Sequence, residues 1–177
     1  MLGKDIEVQR VLLTADNASI VSGFYCGKEN IDINEYICND AAYDNESVSY
    51  VYLAADASPV AFVSLSCSSI EETSSSCPYS SYQPAVLIDK FALDEKYHHL
   101  PYDEGVPETF AQAIFSDVVD LISEIASSVI GAKYIILYST PKAHNFYLKC
   151  LMEDFEDYMA PHKDLSITDC KPMYRQL

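Results

Sequence analysis

Seven stretches of the chain carry the alternating or continuous apolar patterns that are typical of β-strands. The stretches 47–55 and 59–70 are separated by a short polar break and predict an antiparallel hairpin. The stretch 85–93 is almost entirely apolar, as expected of a central strand that is covered on both faces. The seven stretches are 7–13, 47–55, 59–70, 85–93, 133–139, 155–160 and 171–177.

Between the first strand and the hairpin, apolar residues recur at the spacing of an amphipathic helix. The stretch 30–43 predicts this helix, with Asn30 or Asp32 available as its cap. Four side chains would share the face that packs on the core, namely Ile33, Tyr36, Ile37 and Ala41.

A longer helical pattern begins after residue 106. We expect Pro107 in its first turn and Gly131 at its end. A short helix over 141–150 is predicted to follow the next strand. The apolar positions of the long helix are Phe110, Ile114, Val118, Leu121, Ile122, Ile125 and Val129.

The stretch 71–84 is rich in serine and proline, and we interpret it as a long surface loop. Strands alternate with helices in the middle of the chain and pair locally near its ends. This order predicts an α/β (α+β) fold with one central mixed sheet and helices on both faces. At 177 residues the chain is expected to form a single domain over 1–177.

Charge narrows the range of partners. The chain has 27 acidic and 11 basic residues, a net charge of −16, which disfavours nucleic acid and anionic membranes and favours a cationic partner. The amino-terminal sequence does not have a signal-peptide pattern, and no apolar run is long enough to span a bilayer. Six scattered cysteines without a Cys-x-x-Cys pair predict reduced thiols, a cytoplasmic location and no metal site.

Several local strings in this order resemble the GNAT acyltransferase superfamily, nearest to its toxin-like branch. "FYCGKENIDINEYICNDA", from residue 24, is similar to the opening segment of that branch. "DKFALDEKY" resembles the family's central strand, and "AHNFYLKC" resembles the helix that follows its fifth strand. The resemblance covers about 24–177 and implies a GNAT fold that binds acetyl-CoA as the acyl donor, without a metal.

The resemblance assigns a coenzyme role to the turn after the central strand. In the family, backbone groups of that strand hold the pantetheine arm, and a glycine-rich turn at a helix N-terminus holds the pyrophosphate. Here the turn reads "HHLPYDEGVPETF", which is longer and places Pro107, without an N–H, where a donor glycine is usual. The implied coenzyme-binding residues are Phe91, Ala92, Leu93, His98, His99, Gly105, Val106, Glu108, Thr109 and Asn145.

Two carboxylates in this turn decide whether it can hold a diphosphate. If Asp103 and Glu104 pointed inward, one like-charge contact at ~4 Å would cost about 4 kcal/mol at an effective dielectric constant of about 20. Either these carboxylates point to solvent, or the turn binds the coenzyme poorly. Protonated His98 or His99 would offset part of the repulsion.

The resemblance also implies two catalytic residues. Tyr147 matches the tyrosine that can return a proton to the departing thiolate, whose pKa is close to that of a phenol. Asp89, on the central strand, is the candidate general base for the substrate amine. Alternatively, Tyr147 only packs the short helix on the sheet, and Asp89 is a carboxylate at the sheet surface.

We therefore expect an N-acetyltransferase that moves an acetyl group from acetyl-CoA to a primary amine of a small molecule or protein. The acidic chain favours a cationic amine, and a homodimer is possible within this fold. Two alternatives remain, a catalytically inactive GNAT-fold binding protein and a toxin-type enzyme that acetylates aminoacyl-tRNA. Lysines and one arginine concentrated in the C-terminal half favour the second of these.

Overall fold

The computed structural model describes residues 2–74, 77–161 and 169–177. In these ranges eight strands form one mixed sheet in the order β1-β2-β3-β4-β5-β8-β6, and β7 pairs with β3. The strands β4 and β5 run parallel. The strands are β1 (Val8–Leu12), β2 (Val48–Ala54), β3 (Pro59–Ser74), β4 (Cys77–Leu93), β5 (Tyr134–Ser139), β6 (Glu153–Asp154), β7 (Met159–Pro161) and β8 (Lys171–Gln176).

In the described part of the chain, three α-helices lie between the strands. They are α1 (Ile31–Glu35), α2 (Phe110–Ile125) and α3 (His144–Lys149). The first two each continue into a wider turn, at Tyr36–Asp40 and Ala126–Ile130. Gly131 ends the second of these with a φ of 65°, a left-handed value that glycine adopts without strain, as the sequence predicts.

The chain divides into two compact units, each with its own apolar cluster. The first unit comprises residues 1–65 and 89–115, and the second comprises 66–88 and 116–177. In the second unit a cluster of aliphatic and aromatic side chains surrounds Ile136 and Tyr174. The buried side chains of the first cluster are Leu13, Val21, Phe24, Cys26, Ile37, Ala41, Val51, Phe62 and Ala92.

The predicted face of the first helix is confirmed. Ile37 and Ala41 are buried in the cluster of the first unit, and Ile33 and Tyr36 pack against it. The predicted side-chain cap is wrong, because Asn30 has no side-chain cap bond and its amide nitrogen donates to the carbonyl of Cys26 instead, at 2.8 Å. A short 3-10 turn over Lys28–Asn30 leads directly into the helix.

The predicted surface loop over 71–84 is wrong. β3 continues to Ser74 and β4 begins at Cys77, so most of this segment is extended sheet. Three residues of β3 pair with β7, from Ile70 opposite Pro161 to Glu72 opposite Met159. Ladder pairing with a strand nearly 90 residues away holds the start of this polar segment, Glu71 and Glu72, in the sheet, and the local composition does not show that partner.

Two further boundaries differ from the prediction. The stretch 155–160 is not one strand, because a turn in which the Met159 amide donates to the carbonyl of Glu156 separates β6 from β7. The long helix begins at Phe110, so Pro107 lies in the preceding loop and not in the first turn. Val129 is 74% exposed and does not contribute to the core face.

Candidate functional site

The central strand β4 leaves its parallel neighbour partway along its length. Its pairing with β5 runs from Ala85 opposite Tyr134 to Ile88 opposite Leu137. The next residue, Asp89, has an exposed side chain on the strand. Ladder pairing with β5 therefore ends immediately before the segment to which the sequence assigns the pantetheine contacts.

After Asp89, successive side chains of β4 point to opposite faces of the strand, and both faces have contacts within the first unit. The Phe91 ring meets the Phe115 ring edge to face, with centroids 5.2 Å apart. On the other side of the strand, the Lys90 ammonium lies 3.9 Å from the centroid of the Tyr36 ring, and Ala92 is buried. These contacts anchor the strand against both helical neighbours within the unit.

The two adjacent histidines follow a short 3-10 turn, Glu95–Tyr97. The Nε2 atom of His98 lies 2.9 Å from the carbonyl oxygen of Leu93, within hydrogen-bond distance. His99 has a φ of 58°, a left-handed conformation that is uncommon outside glycine, and its ring lies 6.3 Å from that of His98. The sharp bend at His99 redirects the chain into the lengthened turn.

The lengthened turn closes on itself at its base. Pro101 and Thr109 form an antiparallel bridge, and the amide of Tyr102 donates to the carbonyl of Glu108 at 3.0 Å. The extra residues therefore form an exposed excursion from this base. Gly105, at a φ of 75°, lies at its exposed end.

Asp103 contacts the amino-terminal segment. Its Oδ1 atom lies 2.6 Å from the Nζ atom of Lys4, and it also accepts a hydrogen bond from the amide of Glu104. These bonds, that from Lys4 first, lower the pKa of Asp103 below its ordinary value. The amides of Gly3 and Lys4 donate to the backbone of the same turn, each at 2.9 Å. The Asp103 carboxylate is thus neutralised by a local cation.

The first turn of α2 is capped by its own side chains. The amide of Thr109 donates to the Oε1 atom of Gln112 at 3.0 Å, and the amide of Gln112 lies 3.4 Å from Thr109 Oγ1. This reciprocal arrangement is a capping box. The amide of Phe110 donates to the carbonyl of Leu100 at 2.8 Å. Three amides that could face an anion therefore have acceptors within the chain.

In the second unit, α3 carries the predicted catalytic tyrosine. Tyr147 is half-buried, with its ring edge to face against Phe146 and the centroids 5.1 Å apart. Burial raises the pKa of the Tyr147 hydroxyl well above its ordinary value, and the nearby Cys150 adds to the rise. Asn145, on the same helix, is exposed.

Side chains from the sheet contact both ends of α3, which the sequence did not indicate. The Nε2 atom of His144 lies 2.7 Å from Asp154 Oδ1, and the Nζ atom of Lys171 lies 2.5 Å from Asp154 Oδ2. At the other end, Arg175 Nη1 donates to the carbonyl of Cys150 at 3.3 Å. These partners are distant in sequence and belong to no motif.

Within 2–74, 77–161 and 169–177, no set of three or more His, Cys, Asp or Glu side chains is arranged to bind a metal ion. Across the same ranges, none of the helices combines the length and the apolar character that crossing a bilayer requires. The thiols of Cys26, Cys38, Cys67, Cys150 and Cys170 are not joined in disulfides.

The strand order, with β4 and β5 parallel and the remaining described pairs antiparallel, is that of the GNAT fold, and the predicted fold class is confirmed. The resemblance to the toxin branch of this fold is also confirmed. No protein-family model matches the sequence, and no curated protein does.

Solved structures of bacterial toxins share this fold. One described as a bacterial toxin is 16% identical with a TM-score of 0.70, over 97% of this chain and 91% of that one. AtaTR bound with acetyl-CoA is 15% identical with a TM-score of 0.70, over 96% and 94%. AtaT complexed with acetyl-methionyl-tRNAfMet is 15% identical with a TM-score of 0.68, over 96% and 95%. This last likeness is in tension with the prediction, based on net charge, that disfavours a nucleic-acid partner.

Proposed function

We propose that this protein is an acetyl-CoA-dependent N-acetyltransferase that acts on a primary amine. The observation that carries the proposal is the position of Tyr147, a half-buried phenol on α3, the helix that follows β5. A phenol in this position can donate a proton to a leaving thiolate. The fold shared with the acetyl-CoA-bound AtaTR structure over 96% of the chain supports the same chemistry.

The proposed reaction is a direct acyl transfer. The neutral amine nitrogen attacks the thioester carbonyl carbon, a carbon–nitrogen bond forms and the carbon–sulfur bond breaks. The thiolate of CoA takes the hydroxyl proton of Tyr147, and Asp89 removes the proton that the amine must lose. Tyr147 then regains a proton from solvent and Asp89 releases its proton to solvent, so the enzyme is unchanged after each turnover.

We propose that the backbone of β4 after Ile88 holds the pantetheine arm of the acetyl donor. The ladder pairs of β4 with β5 run from Ala85 to Ile88, and the segment 91–93 to which the coenzyme is assigned follows them. The diphosphate would lie at the turn and helix start, with contacts from His98, His99, Gly105, Val106, Glu108 and Thr109. Asp103, paired with Lys4, adds less repulsion there than an unpaired carboxylate would.

The capping box competes with that diphosphate contact, because Gln112 Oε1 occupies the amide of Thr109. Replacing Gln112 with alanine is expected to lower the free energy of unfolding by up to about 1 kcal/mol, since the Gln112 half of the capping box is lost while the bond from the amide of residue 112 to Thr109 Oγ1 remains. The same change should tighten acetyl-CoA binding by about fivefold, because an amide becomes available to the phosphates. Chemical denaturation and calorimetric titration measure the two effects.

Gln9→Ala is the matched control, because Gln9 is exposed on β1. It should change neither quantity appreciably. Weaker acetyl-CoA binding by the Gln112 variant would contradict the proposed location of the diphosphate.

The proposed function is tested first by binding. At about 100 times its Kd, acetyl-CoA should stabilise the protein by about 2.7 kcal/mol, which a thermal-shift assay detects. Release of CoA is then measured with spermidine, a lysine-rich peptide and aminoacyl-tRNA as acceptors. Absence of a thermal shift at millimolar acetyl-CoA would overturn the proposal and leave a non-catalytic binding role, which the self-capped helix start favours.

A local charge pattern supports aminoacyl-tRNA as a second candidate acceptor. Residues 125–152 contain Lys133, Lys142 and Lys149 and no Asp or Glu, so this segment has a net charge of +3 in a chain of net −16. Lys142 precedes α3, and Lys149 is its last residue. If tRNA is the acceptor, its binding should weaken steeply between about 50 and about 200 mM salt, because released counterions dominate such contacts.

A further inference from the structure

Helix α3 depends on the sheet for its stability. It has only six residues, His144–Lys149, whereas isolated helices shorter than about 12 residues are marginal in water. Its conformation must therefore come from contacts outside the helix. The polar contacts at its two ends come from β6 and β8 of the same compact unit.

At the amino-terminal end, Asp154 on β6 connects the helix to β8. Its two carboxylate oxygens have different partners, the ring of His144 at 2.7 Å and the ammonium of Lys171 at 2.5 Å. Both contacts are short, as charge-assisted hydrogen bonds are. They also lower the pKa of Asp154, with Lys171 contributing first, so this carboxylate is ionised at neutral pH.

The side chains that contact α3 share one face of the sheet. Asp154 lies opposite Met173 in the β6–β8 register, and Lys171 and Arg175 are two residues to either side of Met173. Side chains two residues apart on a strand point to the same face. Arg175 meets the last carbonyl of the helix region, that of Cys150, at 3.3 Å. The register of β8 therefore sets the distance between the two contacts.

Tyr147 lies midway between them. His144, Tyr147 and Cys150 are spaced by three residues, which places them on neighbouring positions of one helical surface. We propose that Asp154 is a positioning residue for Tyr147, and that it holds the first turn of α3 through His144 while Lys171 holds Asp154. The kinetic consequence of this positioning role rests on the proposed function, whereas the effect of Asp154 on α3 does not.

Asp154→Asn tests the proposal, because asparagine keeps the size of the side chain and removes the charge that both partners need. Asp157→Asn is the matched control, an exposed carboxylate on the turn that follows β6. Hydrogen–deuterium exchange of the α3 amides is expected to rise about fivefold in Asp154→Asn while β5 is unchanged. Unchanged exchange in α3 would overturn the proposal whether or not the protein is an enzyme.

Kinetics with acetyl-CoA and the acceptor that releases CoA fastest supply the second readout. Asp154→Asn is expected to lower kcat about tenfold and to leave the KM for acetyl-CoA within about twofold, because the proton donor is displaced and the donor site is not. In a Tyr147→Phe background the same change should have little further effect. An equal loss in both backgrounds would identify a general structural role and overturn the proposal. If no acceptor is turned over, the proposed function fails and the exchange experiment alone decides the role of Asp154.

Discussion

Replacing Tyr147 with phenylalanine is expected to lower kcat about a hundredfold and to leave the Kd of acetyl-CoA unchanged. The hydroxyl is the group proposed to give a proton to the CoA thiolate, and a positioned acid contributes about 10²- to 10⁴-fold. Phenylalanine keeps the ring that packs against Phe146, so α3 should keep its place. Steady-state release of CoA and calorimetric titration with acetyl-CoA measure the two quantities.

Tyr79→Phe is a suitable control, because Tyr79 on β4 is 80% exposed and its hydroxyl has no proposed role. Its kcat should equal that of the unmodified protein. An unchanged kcat in the Tyr147 variant would remove this tyrosine from the mechanism, whereas a loss of acetyl-CoA binding would indicate that the phenol holds the donor.

The raised pKa of Tyr147 also sets the sign of a pH effect. Burial disfavours the tyrosinate, so the hydroxyl stays protonated above its ordinary pKa of 10.0. As pH rises to 10, where an exposed phenol would already be half ionised, the Tyr147 hydroxyl should stay protonated, and its contribution to kcat should not decline. This argument applies to the proton donor alone, and not to the amine substrate or to Asp89.

Local patterns predicted most of the fold because each pattern reports the face that an element buries. Ile33, Ile37 and Ala41 reveal their helix by spacing alone, and the continuous apolar run through Ile88 reveals a strand covered on both sides. The segment 71–84 could not be recognised in this way. Its serines carry little signal, and β7, which pairs with Glu71 and Glu72 at the start of the segment, lies far along the chain.

In the candidate site, too, local patterns and tertiary contacts differ in what the sequence predicts. The string "AHNFYLKC" led to the prediction of Tyr147 as a catalytic residue, and this role stays a prediction. The Thr-x-x-Gln pattern of Thr109 and Gln112 is a local sequence signal for the capping box. The partners of the carboxylates of Asp103 and Asp154 could not be predicted from the sequence. Lys4 lies about a hundred residues from Asp103, and His144 reaches Asp154 only after the chain has turned into β6. Such pairs follow from tertiary packing.

The second large effect is expected at Gly3, which is buried against the start of α2. A Cβ atom at this position would lie 2.8 Å from both Cβ and Cδ2 of Phe110, closer than real Cβ atoms approach. Phe110 is 2% exposed, and its Cβ is fixed to the helix backbone, so neither atom can easily move away. Gly3→Ala should therefore lower the free energy of unfolding by about 2 kcal/mol, as overpacking of a tight core does.

Thermal denaturation should show this loss as a Tm lower by roughly 4–8 °C for a chain of this size. Lys4→Ala is the control from the adjacent position, where an exposed ion pair with Asp103 is removed without a steric clash, and its effect should be smaller. An unaltered Tm in Gly3→Ala would mean that the amino-terminal segment does not pack on Phe110 in solution. The backbone bonds from Gly3 and Lys4 to the turn would then be absent as well, and Asp103 would be left without its cation beside the proposed diphosphate contact.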